Sequence, residues 1–278
     1  MAKVWLITGS SRGFGRELTK AVLANGDKVV ATARRLDQLA FLVSEYGEQV
    51  RTFSLDVTDR DAARSAVQLA VDAFGSLDIV VNNAGYANSA PIEEMSDEDF
   101  RAQMETNLFG VVNVTKAALP VFRKQRSGFF IQFSSIGGRV GGTPGMGAYQ
   151  TAKYAVEGFS EVLNNEVKPF GVKVTIIEPG AFRTDWQGSS MIRARVGPEY
   201  ELTVGAINKM REETDGNQPG DPARAAQAII NLANEEQPPL RLILGAVALE
   251  SALKSSKERT AEAEKWADVS RSADFPVE

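Results

Sequence analysis

Short runs of uniformly apolar residues alternate along the chain with longer stretches in which apolar positions recur every three to four residues. The first run, Val4-Trp5-Leu6-Ile7, passes through a turn bearing Gly9, Gly13 and Gly15 into a helical pattern over 16–24. Further runs at 28–33, 50–55, 77–81, 129–133, 172–177 and 240–244 read as strands. The stretches 36–46, 59–74, 96–126, 149–168 and 222–234 read as helices. Their boundaries carry the expected chemistry: Gly47 stops one helix, Thr58 is placed to cap another, Ser96 precedes an acidic first turn, and Pro222 opens its helix. Strands that are apolar throughout, rather than at every second position, belong to a parallel sheet covered on both faces. The expected fold class is α/β, a single doubly wound parallel sheet of about seven strands with helices on both sides.

The rhythm fails between 181 and 220, where glycines and prolines punctuate a segment with one helical pattern at 199–213. After residue 245 the chain is highly charged and weakly amphipathic, the pattern of a helix with a frayed end. No internal repeat or linker divides the chain.

Composition narrows the chemistry. The 278 residues are 43% hydrophobic and 24% charged with a net charge of −5, an ordinary balance for a globular protein. That charge argues against a nucleic-acid or anionic-membrane surface. No apolar run approaches the ~18 residues that span a bilayer, and the first strand begins almost at once, so the expected location is cytoplasmic. There are no cysteines and no histidines. Disulfides, thiolates, imidazole bases and His- or Cys-ligated metals are thereby excluded, and proton transfer falls to Tyr, Lys, Asp or Glu.

Ligands of doubly wound sheets lie beyond the carboxyl ends of the strands, so the residues there are the candidates. The turn after the first strand offers glycine backbone and a helix N-terminus to a pyrophosphate. After the second strand come Arg34 and Arg35, with no acid between 29 and 36. An acid there would bind a ribose 2′-hydroxyl, whereas guanidinium suits a 2′-phosphate, and Arg12 adds to that charge. NADP(H) is therefore expected in preference to NAD(H). Asp56 and Val57 end the third strand beside an adenine edge, and Asn83, Ala84 and Gly85 end the fourth. Ser134 and Ser135 close the fifth. Tyr149 and Lys153 stand one helical turn apart, where the ammonium is expected to lower the Tyr pKa.

Thr8-Gly9-Ser10-Ser11-Arg12-Gly13-Phe14-Gly15, Asn82-Asn83-Ala84-Gly85, Tyr149-Gln150-Thr151-Ala152-Lys153 and Pro179-Gly180 with Thr184 together resemble the short-chain dehydrogenase/reductase family over nearly the whole chain. Among its members the resemblance is to NADP-preferring carbonyl reductases and to hydroxysteroid or retinol dehydrogenases. It implies a Rossmann-type fold, with residues 1–245 as dinucleotide-binding and catalytic domain, a substrate lid at about 181–220, and 246–278 as a helical extension. It implies that Tyr149 is the acid/base, that Lys153 holds the nicotinamide ribose, and that Ser135 hydrogen-bonds the substrate oxygen. Asn107 is the family's helix-kinking Asn. On the same resemblance, Ser11, Arg12, Gly13, Phe14 and Gly15 would line the phosphates, and Pro179, Gly180, Phe182 and Thr184 would cover the nicotinamide. Ser135 stands further before Tyr149 than the family pattern has it, and Ser134 remains the alternative.

The resulting expectation is a reductase of a small-molecule carbonyl, reversible as an alcohol dehydrogenase. Its substrate should be fairly apolar, given Trp186, Met191, Ile192 and Met210, which the 181–220 segment mixes with Arg193, Arg195 and Arg211. No metal is expected. Surplus apolar stripes on 96–126 and 149–168, including Phe109, Val112, Val156, Phe159 and Val162, point to a homodimer or homotetramer. The competing class is an NADP sensor without turnover, which oxidation of NADPH by a panel of ketones would tell apart.

Overall fold

The computed structural model describes residues 2–188 and 190–275. In strand β1 (Val4–Ile7), Trp5 and Ile7 enter one apolar core while Val4 and Leu6 enter another. Burial on both sides is why this run tolerates no polar residue. The first half continues as α1 (Gly13–Ala24), β2 (Lys28–Ala33), α2 (Ala40–Tyr46), β3 (Val50–Ser54), α3 (Arg60–Phe74), β4 (Ile79–Asn82) and β5 (Ala87–Ser89). There follow α4 (Asp97–Met104), α5 (Gly110–Gln125), β6 (Gly128–Phe133), α6 (Gly147–Val167), β7 (Val172–Pro179) and β8 (Met191–Arg193). The chain then runs through α7 (Ala206–Thr214), α8 (Pro222–Leu232), β9 (Arg241–Leu244), α9 (Ala246–Lys265) and α10 (Ala267–Arg271).

Seven strands form one parallel sheet in the order β3-β2-β1-β4-β6-β7-β9. One face is covered by α1 and α8, where Leu18, Val22, Ile229 and Ile230 pack on Trp5, Ile7 and Ile131. The other is covered by α3, α5 and α6, through Ala66, Val67, Val114, Phe122 and Leu163. Strand order reverses between β1 and β4, and a crevice opens there at the strands' carboxyl ends. Strands β5 and β8 form a separate parallel pair, whose Ala87 and Met191 cluster with Met146 and Tyr149.

Three boundaries differ from the sequence reading. Asp59, not Thr58, caps α3, because its carboxylate accepts from the amides of Asp61 and Ala62, each at 2.9 Å. The expected helix over 96–126 is two helices, α4 and α5, joined by a π-helical turn at Glu105–Phe109. The 181–220 segment contains β8, a 3-10 turn at Pro198–Tyr200, a π-helical turn at Glu201–Gly205 and α7, rather than one helix at 199–213. Helix α9 meets the body through the buried Ala248 and Ala252 and through Arg259, which donates to the Val140 carbonyl and the Tyr154 hydroxyl, and most of its remaining length is exposed.

Candidate active site

The ends of β1 and β4 are tied together by side chains. Thr8 Oγ1 accepts from the amides of Asn83 and Ala84, both at 3.0 Å. Asn83 Nδ2 donates to the carbonyls of Thr8 at 2.9 Å and Gly9 at 3.2 Å. These bonds hold the glycine turn against the crevice. Gly9 has φ +71° and Gly13 φ +52°, which side chains rarely adopt. No side chain caps α1 at Arg12, so the amides of its first turn remain for an anion. Gly15 has a different part: a Cβ there would come to 2.1 Å from the Gly9 carbonyl oxygen, so it closes the turn from beneath and does not face the crevice.

A cavity of about 660 Å³ occupies the crevice. Its dinucleotide end is lined by Gly9, Ser11, Arg12, Gly13, Phe14, Arg34, Arg35, Asp56, Val57, Asn83, Ala84 and Gly85. Phe14 stacks against Phe133 and Phe182, with centroids at 5.5 and 4.9 Å. Pro179, Gly180, Phe182 and Thr184 line the next wall. Arg34 is exposed, and its guanidinium has no hydrogen-bond partner among the described residues. Arg35 is also exposed, but it bonds Asp37 at 2.7 Å, an acid two residues further on that captures half of the expected arginine pair. These residues suit a dinucleotide phosphate: a glycine cradle, an uncapped helix start and an unpaired guanidinium converge there.

Further along, Ser134, Ser135, Tyr149, Lys153 and Trp186 share the same cavity wall. Lys153 is buried and its Nζ donates to the Phe133 carbonyl at 2.7 Å. The two serines part company. Ser134 is turned back toward α6, where its hydroxyl meets the Lys153 carbonyl at 3.5 Å. Ser135 accepts from the Gly137 amide at 3.1 Å and stands with Tyr149 in the cavity wall, near enough to favour its phenolate. Trp186 tilts over the Tyr149 ring with centroids 5.2 Å apart. Asn107 does not reach the cavity. It is fully buried in the π-helical turn, accepts from the Tyr86 amide at 3.1 Å and donates to the Tyr86 carbonyl at 2.8 Å. It thereby fixes a residue that does line the cavity.

The electrostatics correct one expectation. Burial pushes the Tyr149 phenol up to about 12, opposed by the neighbouring Ser135 hydroxyl and by the charge of Arg211. Arg211, on α7, is thus a second cation beside the phenol, with the Lys153 ammonium 5.8 Å from the Tyr149 ring centroid. Burial itself pulls Lys153 down to about 8, against the charge of Glu157 one turn along the helix. Two apolar candidates are corrected as well. Met191 is buried in a small cluster with Ala87, Met146 and Tyr149 without lining the cavity, and Ile192 faces outward. Trp186 and Met210 do line it, joined by Tyr86, Met146 and Gln150, which the sequence reading did not single out. Gln150, adjacent to Tyr149, was the one of these with a signal in the sequence.

The model of short chain dehydrogenases matches residues 3–193. The chain belongs to the short-chain dehydrogenase family. It is 48% identical over 271 residues to oxidoreductase BOA17 of Botryotinia fuckeliana, covering 97% of this chain and 98% of that one. A crystal structure of a short-chain dehydrogenase from Streptomyces avermitilis superposes with TM-score 0.92 at 39% identity, over 99% of this chain and all of that one. An alcohol dehydrogenase from Thermococcus sibiricus, solved with 5-hydroxy-NADP, gives 0.72 at 26% identity, over 88% and 96% of the two chains. The protein is thus an oxidoreductase of CH–OH and C=O groups on small molecules, working with a nicotinamide cofactor. No helix among the described residues is long and apolar enough to cross a membrane, and no group of acidic residues there could hold a metal.

Proposed function

We propose that this short-chain dehydrogenase is an NADPH-dependent carbonyl reductase, reversible as an alcohol dehydrogenase, with Tyr149 as its acid/base. The single observation that carries the reading is the convergence of Tyr149, Ser135 and Lys153 on the cavity that also holds the glycine turn. Gly9 and Gly13 through Phe14 would hold the pyrophosphate, Asp56 and Val57 the adenine, and Lys153 the nicotinamide ribose. Arg12 and Arg34 would take a 2′-phosphate, with Arg35 in a lesser part because Asp37 already engages it. When bound, the dinucleotide supplies the hydride that reduces the carbonyl carbon.

The remaining steps belong to the chain. Ser135 and Tyr149 hold the carbonyl oxygen by two hydrogen bonds that strengthen as negative charge develops there. The Tyr149 hydroxyl then gives its proton to that oxygen, completing the alcohol. A phenol kept protonated by burial is the acid that reduction requires. Lys153, with its proton affinity brought down to about 8, is able to return a proton to the phenolate near neutral pH. Asn107 keeps Tyr86, and with it this wall of the cavity, in place.

Trp186, Met146 and Met210 favour a fairly apolar substrate. Residues 181–220 act as its lid, and 246–278 as an extension of the same domain. The exposed Phe109 and Val162 support assembly as a homodimer or homotetramer, although Val156, expected on that surface, is buried within the subunit. The test is NADPH oxidation with a panel of apolar ketones. Turnover that needs Tyr149 supports the reading; NADPH binding without turnover on any ketone would leave a sensor.

A further inference from the structure

Arg211 is 7% exposed and sits in the wall of the cavity beside the reacting groups. Its guanidinium donates no hydrogen bond and forms no ion pair with any described residue, and its Nη1 is buried without a partner. Around it are another cation, Arg193, and the neutral Gln187 and Thr214, both of which contact its backbone carbonyl rather than its charge. Arg193 has partners of its own, Glu212 at 3.9 Å and the Gln187 carbonyl. Burial and the charge of Arg193 act against Arg211 carrying its proton, and only the neighbouring Tyr149, when ionised, favours it; Tyr149 is kept protonated by its own burial. Buried charges in folded proteins are almost always paired, since an unpaired one loses its hydration and gains nothing. The missing partner must therefore arrive in the cavity.

We propose that Arg211 is the anion-binding residue of the substrate site, and that the substrate is an oxo acid, or the matching hydroxy acid, whose carboxylate docks on this guanidinium. The proposal rests on the reductase reading and names the substrate class of that site. One unpaired guanidinium matches the single charge of a carboxylate, and its two parallel N–H groups match the carboxylate's geometry. The dinucleotide does not fill this role, because its phosphates belong at the glycine turn, whereas Arg211 stands beside Tyr149. Trp186, Met146 and Met210 line this end together with the polar Thr143, Gln150, Gln187 and Ser190, so the acid group would be carried on a body with an apolar face toward the tryptophan and the methionines. Pairing also withdraws from Tyr149 a cation that favours its phenolate, which keeps the phenol protonated for reduction.

The test has two arms. In the first, ketones are offered in matched pairs, 4-acetylbenzoate and 4-oxo-4-phenylbutyrate each against its methyl ester, with NADPH oxidation as readout. Wild type should favour the acid of a pair in kcat/KM by roughly tenfold to a hundredfold, the size of a charged hydrogen bond. Most of the difference should lie in KM. Arg211→Leu should abolish the acid-to-ester ratio and Arg211→Lys should retain part of it. The ratio, rather than either rate, is read because changes in the fold or in cofactor binding affect both members of a pair alike. In the second arm, binding of 2-naphthoate and 2-naphthamide to the protein–NADP complex is measured by calorimetry. The carboxylate should bind at least about tenfold more tightly than the amide to wild type, and equally to Arg211→Leu.

Equal binding of the two probes by wild type, or a preference that survives in Arg211→Leu, overturns the proposal. If no ketone is reduced, the reductase reading fails and the binding arm still decides on Arg211. Thermal unfolding separates a binding role from a structural one. Replacing an unpaired buried charge with an apolar group should leave Tm unchanged or raise it, and a fall of several degrees would assign Arg211 to the fold. Should Arg211→Leu not fold, the wild-type comparison of naphthoate with naphthamide and Arg211→Gln decide in the same way.

Discussion

The two ends of the cavity carry arginines in opposite circumstances. At the dinucleotide end, Arg34 and Arg35 stand in water on the turn after β2, and Arg35 has found Asp37. At the substrate end, Arg211 is buried with no counter-ion among the described residues. An exposed guanidinium stays hydrated when its ligand is absent, at no cost to the fold. A buried one has no such hydration and depends on what enters the cavity. The backbone differs in the same sense. The dinucleotide end is a frame of glycines and cross-tied strand ends, whereas the substrate end is built of side chains delivered by an irregular segment. The first end can hold a common cofactor in many relatives; selectivity for one substrate has to come from the second.

Tyr149→Phe should separate the ends most sharply. Turnover should fall by about a thousandfold, the contribution of a positioned acid, while affinity for NADPH changes little in a fluorescence titration. A variant retaining more than about a tenth of kcat would move the acid elsewhere. In wild type, reduction should fade and oxidation should grow as pH rises through the macroscopic pKa of the coupled Tyr149–Lys153 pair.

Arg34→Ala probes the other end. It should weaken NADPH by about 2 kcal/mol, the loss of a charged hydrogen bond, and hardly touch NADH. Equal use of both cofactors by the unaltered protein would remove the basis for a 2′-phosphate site. Next in size is a stability effect of Lys153. Its folded value of about 8 lies below the ordinary 10.5, so between those values the unfolded chain holds a proton that the native chain has released. Wild-type stability should therefore gain up to about 1 kcal/mol per pH unit on going upward through that window. Below it the buried charge is a burden. Lys153→Met should erase that slope in denaturant titrations. The smallest effect is Arg35→Ala, worth under about 1 kcal/mol toward NADPH, because the residue is exposed and already paired.

What was legible in the sequence follows the same division. The seven-stranded sheet was readable because burial on both faces forces solid apolar runs, as Trp5, Ile7, Val4 and Leu6 illustrate. The glycine turn was readable because few other residues could take its conformations. Asn107 was visible as a family feature, though its π-helical turn, and the way it clamps Tyr86, emerge only with the fold. Strands β5 and β8 left no trace: they are short, and Asn88, Ser89 and Arg193 give them a polar reading. Met191 and Ile192 were assigned by their polarity alone, which does not say which of two neighbours points inward. Arg211 was hidden for a related reason. Its helix also carries Lys209 and follows Arg193 and Arg195, so nothing local distinguishes a buried cation from solvated ones. Isolation is a property of the fold, and so is the rise of the Tyr149 pKa, which burial causes against the effect expected of Lys153.

The most direct measurement is isotope transfer. Wild type and Tyr149→Phe would each be incubated with an apolar oxo acid and NADPH deuterated at nicotinamide C4, on the face from which transfer occurs. The expected product from wild type is the hydroxy acid bearing deuterium on its carbinol carbon, formed in step with NADPH consumption. Tyr149→Phe should bind the nucleotide and form almost none. Consumption of NADPH without deuterium in an alcohol product, or deuterated product formed equally well without the Tyr149 hydroxyl, would contradict the assignment of this cavity as a carbonyl reductase site.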